Sequence, residues 1–108
     1  MAEAYGRDGR FGQHDRILDL AIVFERMFKP PKSEPISKFL QKETANLLGG
    51  TEEEKERIKC EVKHLYDVRS AIIHGPSDDR KTQLLREVEQ AWVAGAELAR
   101  EALLRKLE

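Results

Sequence analysis

The chain has 108 residues, with 19 Lys and Arg against 20 Asp and Glu, a net charge of −1, and 36% charged against 40% hydrophobic residues. That length holds one domain with a modest core, to which a subunit interface would add stability, and the near-zero charge excludes a global field that gathers nucleic acid or membrane. Cys60 stands alone, which excludes an internal disulfide framework and a cysteine-built zinc site and fits a reducing, cytoplasmic setting.

No apolar run approaches the ~20 residues of a membrane span, and the N-terminus lacks the apolar core of a signal peptide. Hydrophobic residues recur at helical spacing within a charge-rich background, so the expected class is an all-α bundle with a charged surface.

Residues 1–12 carry Gly6, Gly9 and Gly12 with Arg7 and Arg10, and have too little apolar surface to offset the entropy of ordering. They are expected as a flexible arm or linker, pointing to a possible upstream domain or regulatory partner, ahead of a single helical domain over 13–108. The first helix is expected over 13–28 with Asp15 as N-cap. Ile17, Leu18, Leu20, Ala21, Ile22, Val23, Phe24, Met27 and Phe28 make an apolar arc wide enough for a central helix covered on several sides. Lys29 precedes Pro30-Pro31, which stops it, and Glu25 is one of the few charges in its second half.

A second helix over 35–48 is expected with Ser33 as cap candidate and Pro35 in its first turn. Its spacing puts Glu43 in the middle of the face carrying Ile36, Phe39, Leu40, Leu47 and Leu48, where a carboxylate needs a partner or water. Gly49-Gly50 reads as a left-handed C-cap. Thr51 followed by Glu54 is a capping-box pattern, and Glu52 to Glu54 suit the positive end of a helix dipole.

The third helix is expected from there to about His74, ended by Gly75-Pro76. On it Ile58, Val62, Leu65, Arg69 and Ile72 share one stripe within roughly 40° of Ile58 at ~100° per residue. A buried guanidinium must meet a carboxylate, backbone carbonyls or a bound anion, and Glu43 and Glu25 are the carboxylates best placed to pair with Arg69. His74 is five residues on; the ending helix frees its side chain to turn towards Arg69 or across an interface, or it simply caps the helix dipole. His14 and His64 read as surface residues without the spacing of metal ligands, so neither a metal nor a cofactor is expected. A fourth helix over 78–106 mixes Leu84, Leu85, Val88, Trp92, Leu98, Leu103 and Leu104 with Ala91, Ala94, Gly95, Ala96, Ala99 and Ala102. Gly95 inside it signals a tight crossing, with the first helix or with a second subunit.

The string Leu65-Tyr66-Asp67-Val68-Arg69-Ser70-Ala71-Ile72-Ile73-His74-Gly75, with Leu47-Leu48-Gly49-Gly50 and Arg16-Ile17-Leu18-Asp19-Leu20 upstream, resembles the HEPN superfamily, closest to its Apea-like branch, over about residues 15–108. The resemblance implies a four- to five-helix up-down bundle that dimerises through the motif-bearing helices, and, in many members, metal-independent cleavage of RNA. Carried onto this sequence it makes Arg69 and His74 the catalytic pair, with Arg69 on the scissile phosphate and His74 moving the proton of the 2′-hydroxyl or of the leaving 5′-oxygen. Ser70, Tyr66, Asp67, Glu43 and Glu25 stand as supporting or RNA-contacting residues, and Ser70 occupies the place where the family commonly has asparagine, aspartate or histidine. The expected partners are RNA and a second copy, in a defence or toxin setting and without a membrane. The alternatives are a non-catalytic HEPN module for dimerisation or nucleotide or RNA binding within a larger protein, and an unrelated helical domain stitched by an internal Arg-Glu pair.

Overall fold

A capping box and one close helix crossing stand out in the computed structural model, which describes residues 9–75 and 79–108. Five helices follow in order among these residues: α1 Gly9–Phe28, α2 Ile36–Leu48, α3 Glu52–His74, α4 Asp79–Arg86 and α5 Val88–Lys106. No helix among them is long and apolar enough to cross a membrane. Both α3 and α5 touch all four other helices, whereas α4 packs only on α3 and α5.

Helix α1 begins at Gly9, four residues before the expected Gln13, so Asp15 lies inside the helix and caps nothing; residues 1–8 of the expected arm lie outside the described residues. It stops as expected before the prolines, with Lys29 at φ 49° donating its N–H to the Glu25 carbonyl at 2.8 Å. Ile17, Ala21 and Phe24 are fully buried, but Ile22 and Val23 are 48% and 43% exposed. The helix packs on α2, α3 and α5, while the side carrying Ile22 and Val23, part of the expected apolar arc, faces out.

On α2 the N-cap is Pro35, without a side-chain cap bond, so Ser33 does not fill that place. The helix is also turned from the expected orientation. Leu40, Thr44 and Ala45 are fully buried, Ile36 is exposed and Glu43 is only half-buried. From Leu40, Thr44 is displaced by ~40° and Glu43 by ~60° the other way, so packing against α3 selects the threonine as the buried polar group. Its Oγ1 has no hydrogen-bond partner among the described residues. Gly49 closes the helix at φ −84°, ψ 131°, an extended rather than left-handed residue. A Cβ there would lie 2.6 Å from Lys55 Cγ and 2.9 Å from the Ala45 carbonyl, so close packing asks for the glycine.

Helix α3 starts on the full capping box. Thr51 Oγ1 accepts from Glu54 N–H at 3.1 Å, and Glu54 Oε1 accepts from the N–H groups of Thr51 and Gly50 at 2.9 Å each. Those backbone donors hold the Glu54 carboxyl below its ordinary value. The expected single helix over 78–106 is broken at Glu87 (φ −102°, ψ 13°), whose N–H turns back to the Leu84 carbonyl at 2.9 Å. The Glu87 carboxylate is drawn sideways: Gln83 donates to it at 2.9 Å, and His64 Nε2 on α3 lies 2.7 Å from its other oxygen. Gln83 first and His64 second depress its pKa. His64 is thus half-buried in this junction and not a plain surface residue.

The crossing at Gly95 is with α1 and α3 of the same chain: an added Cβ would sit 2.8 Å from Leu20 Cδ2 and 3.5 Å from both Leu65 methyls. The buried hydroxyl at Thr44 yields a direct expectation. Leaving such a group without a partner costs ~1–3 kcal/mol, so the near-isosteric Thr44→Val is expected to stabilise the fold by about 1 kcal/mol in urea unfolding, with an unchanged m-value.

Candidate functional site

The second half of α3 carries the residues of interest, and its position in the core sorts them. Tyr66 is 8% exposed, next to fully buried Leu65 and Val68. Its hydroxyl donates to Glu25 Oε2 at 2.9 Å and lies 3.2 Å from the Ala21 carbonyl, so one proton is shared between two acceptors on α1. Burial first, and the Glu25 hydrogen bond and charge after it, push the phenol well above the ordinary tyrosine pKa. Tyr66 is therefore a neutral structural tie between α3 and α1, with the Glu25 carboxylate as one of its acceptors.

Arg69, one turn on, is half-buried and lays its guanidinium 5.7 Å from the centroid of the Tyr66 ring. A guanidinium over an aromatic face is attracted by the ring quadrupole, a contribution of ~0.5–2 kcal/mol depending on exposure. Neither Glu25 nor Glu43 forms an ion pair with Arg69, and Glu43 pairs with no cation among the described residues. The expected internal Arg-Glu stitch is thus replaced by a chain of contacts Glu25, Tyr66, Arg69. The hydroxyl donates to the carboxylate, and none of the arginine's five N–H donors meets an acceptor among the described residues.

Asp67 and Ser70 belong to a different side of α3. Asp67 Oδ2 meets Lys63 Nζ at 2.9 Å and Arg80 at 3.3 Å, which ties α4 to α3. Ser70 lines a cleft of about 300 Å³ with Asp67, Ala71, Arg80, Lys81 and Leu84. His74 is exposed and is the last residue of α3; Gly75, at φ 79°, donates its N–H to the Ala71 carbonyl at 2.8 Å. That bond completes the last turn, so the backbone keeps helical direction through His74, contrary to the expected release. By helical spacing His74 follows Asp67, Ser70 and Ala71 on one face, about 140° round from Arg69. Ile73, 52% exposed, lies between these directions.

Sequence reasoning named Arg69 and His74 but missed Arg80 and Lys81 as neighbours of Ser70, because the α3–α4 packing that brings them there has no local signal. Among the described residues no three His, Cys, Asp or Glu side chains gather as a metal-binding group. The tie from Tyr66 to Glu25 sets a measurable cost. Tyr66→Phe keeps the ring beneath Arg69 and leaves Glu25 without its donor, and is expected to destabilise the protein by about 1–2 kcal/mol in chemical unfolding, while Tyr66→Ala, which also opens a core cavity, is expected to cost ~3–5 kcal/mol. No family model, no curated protein and no solved structure matches this chain.

Proposed function

We propose that the chain is a HEPN-like endoribonuclease that cleaves RNA without a metal and works as a dimer. The observation that carries the reading is Arg69: a half-buried guanidinium braced on the Tyr66 ring, without a carboxylate partner among the described residues, on the helix that ends in an exposed histidine. A cation held this way, with its donors unspent, suits a phosphate in a partly desolvated place.

In this reading the ribose 2′-oxygen attacks the adjacent phosphorus as its proton passes to a base, and negative charge grows on the non-bridging oxygens. Arg69 stabilises that charge. The bond from phosphorus to the 5′-oxygen then breaks, leaving a 2′,3′-cyclic phosphate, and the leaving oxygen takes a proton from an acid. Histidine, with an unperturbed pKa near ~6.5, suits both proton steps, each commonly contributing ~10²–10⁴-fold. Because Arg69 and His74 point to different faces of α3, the reading takes its other half from a second copy of that helix, whose histidine would meet the first copy's arginine across a seam at Ile73. The defence or toxin setting is part of the same proposal and follows from the resemblance of the Leu65–Gly75 string.

The separation of Arg69 from His74 also favours a second reading, a non-catalytic module in which Arg69 binds RNA or a nucleotide phosphate and His74 plays no chemical part. One assay distinguishes the two. Wild-type protein incubated with RNA in the presence of a chelator is expected to yield cyclic-phosphate ends, with the rate lowered at least about 100-fold in both Arg69→Ala and His74→Ala. Absence of cleavage by wild type, or equal cleavage by the variants, removes the nuclease reading; binding lost only in Arg69→Ala supports the second.

A further inference from the structure

The outward side of α5 carries a charge pattern that the RNA reading does not use. Glu89, Val93, Ala96 and Arg100 follow at steps of four, three and four and fall within an arc of about 60° at ~100° per residue, opposite the buried Ala91, Gly95, Leu98 and Ala102. Glu89 and Arg100 are exposed and form no ion pair among the described residues. Val93 and Leu103 on this side are 52% and 50% exposed. A hollow flanks the stripe on each side: one of about 400 Å³ against α1, where Val23, Trp92 and Leu103 meet, and one of about 600 Å³ beside Gln90 and Ala94. Arg16 lies over the Trp92 ring at 5.3 Å and rims the first.

We propose that this face binds a second copy of the chain, α5 antiparallel to α5, about a two-fold axis passing between Ala94 and Gly95. The sum of residue numbers across such an axis is constant, so Glu89 of each copy faces Arg100 of the other, and Val93 of each faces Ala96 of the other. The acidic and basic ends are about 16 Å apart along the helix, at ~1.5 Å per residue. Both ion pairs therefore form at once if the helices cross at a shallow angle near +20°, and the small Ala96 permits the ~8 Å axial separation that such packing needs. A face with acid at one end, base at the other and apolar residues between is complementary to itself when reversed, which is the condition for an isologous contact. The charges select orientation and reject the parallel arrangement, where Glu89 meets Glu89. The contact uses neither Arg69 nor His74, so substitutions at 89 and 100 test it without touching the residues of the nuclease reading.

Charge reversal tests it, with mass measured by sedimentation of the full chain over a wide concentration range and helicity checked by circular dichroism. Wild type is expected to self-associate, and Glu89→Arg or Arg100→Glu alone to raise the dissociation constant at least about tenfold, since each places like charges in contact twice. An equimolar mixture of the two single variants is expected to associate again, because one variant then carries a base at both ends of the stripe and the other an acid at both ends. The double variant restores both pairs within one species and is likewise expected to associate. A wild type that stays monomeric, single variants that associate as wild type does, or a mixture that fails to recover would each overturn the proposal. So would association abolished by Ile73→Arg on α3 and indifferent to positions 89 and 100.

Discussion

A single phenolic proton, given by Tyr66 to the Glu25 carboxylate and the Ala21 carbonyl, links the core of this bundle to its candidate chemistry. It fastens α3 to α1 at a depth where an unpaired hydroxyl or carboxylate would be costly. Arg69 rests on the same ring, 5.7 Å from its centroid, and pairs with no carboxylate among the described residues. The ring that fastens α3 to α1 is thus also the one that supports the guanidinium.

The rest of the fold keeps that arrangement in place through close approach. Gly95 brings α5 against Leu20 and Leu65, the residue just before Tyr66, so the helix bearing Arg69 is held by α5 as well as by the helix that carries Glu25. Before the break at Glu87, α4 packs on α3, where Arg80 meets Asp67 and Ser70 lines the cleft between them. Ser70 and His74 consequently belong to a side of α3 flanked by α4, and Arg69 to another. A nuclease built from them needs α3 presented to a second α3, while the α5 stripe offers a separate surface for association.

Local signals carried most of the helix boundaries. Thr51 and Glu54 lie three residues apart and satisfy each other's backbone, so neighbouring sequence suffices to place the start of α3, and Gly75 likewise marks its end. Gly95 announced a close crossing, since a glycine inside a helix is otherwise a cost. The misplaced features are tertiary. No glycine or proline marks the Glu87 break, and His64, which meets the Glu87 carboxylate there, is 23 positions away. The rotation of α2 that buries Thr44 rather than Glu43 comes from how the helix settles on α3, which the spacing of Ile36, Phe39 and Leu47 does not encode. Arg69 stands out in the sequence by its place in an apolar stripe, but the stripe points to a carboxylate as its partner, when a ring one turn back meets the same need for a half-buried cation.

The central claim, that Arg69 is held unpaired to meet a phosphate, is tested most directly by the salt dependence of RNA binding. Affinity of a short single-stranded oligonucleotide bearing a 2′-deoxy sugar, which blocks cleavage, is measured by fluorescence anisotropy for wild type and Arg69→Gln at several salt concentrations. The account predicts weaker binding by the variant and a logarithmic salt slope smaller by about 0.7, the loss of one phosphate contact on a single strand. Equal affinity and equal slope would contradict it.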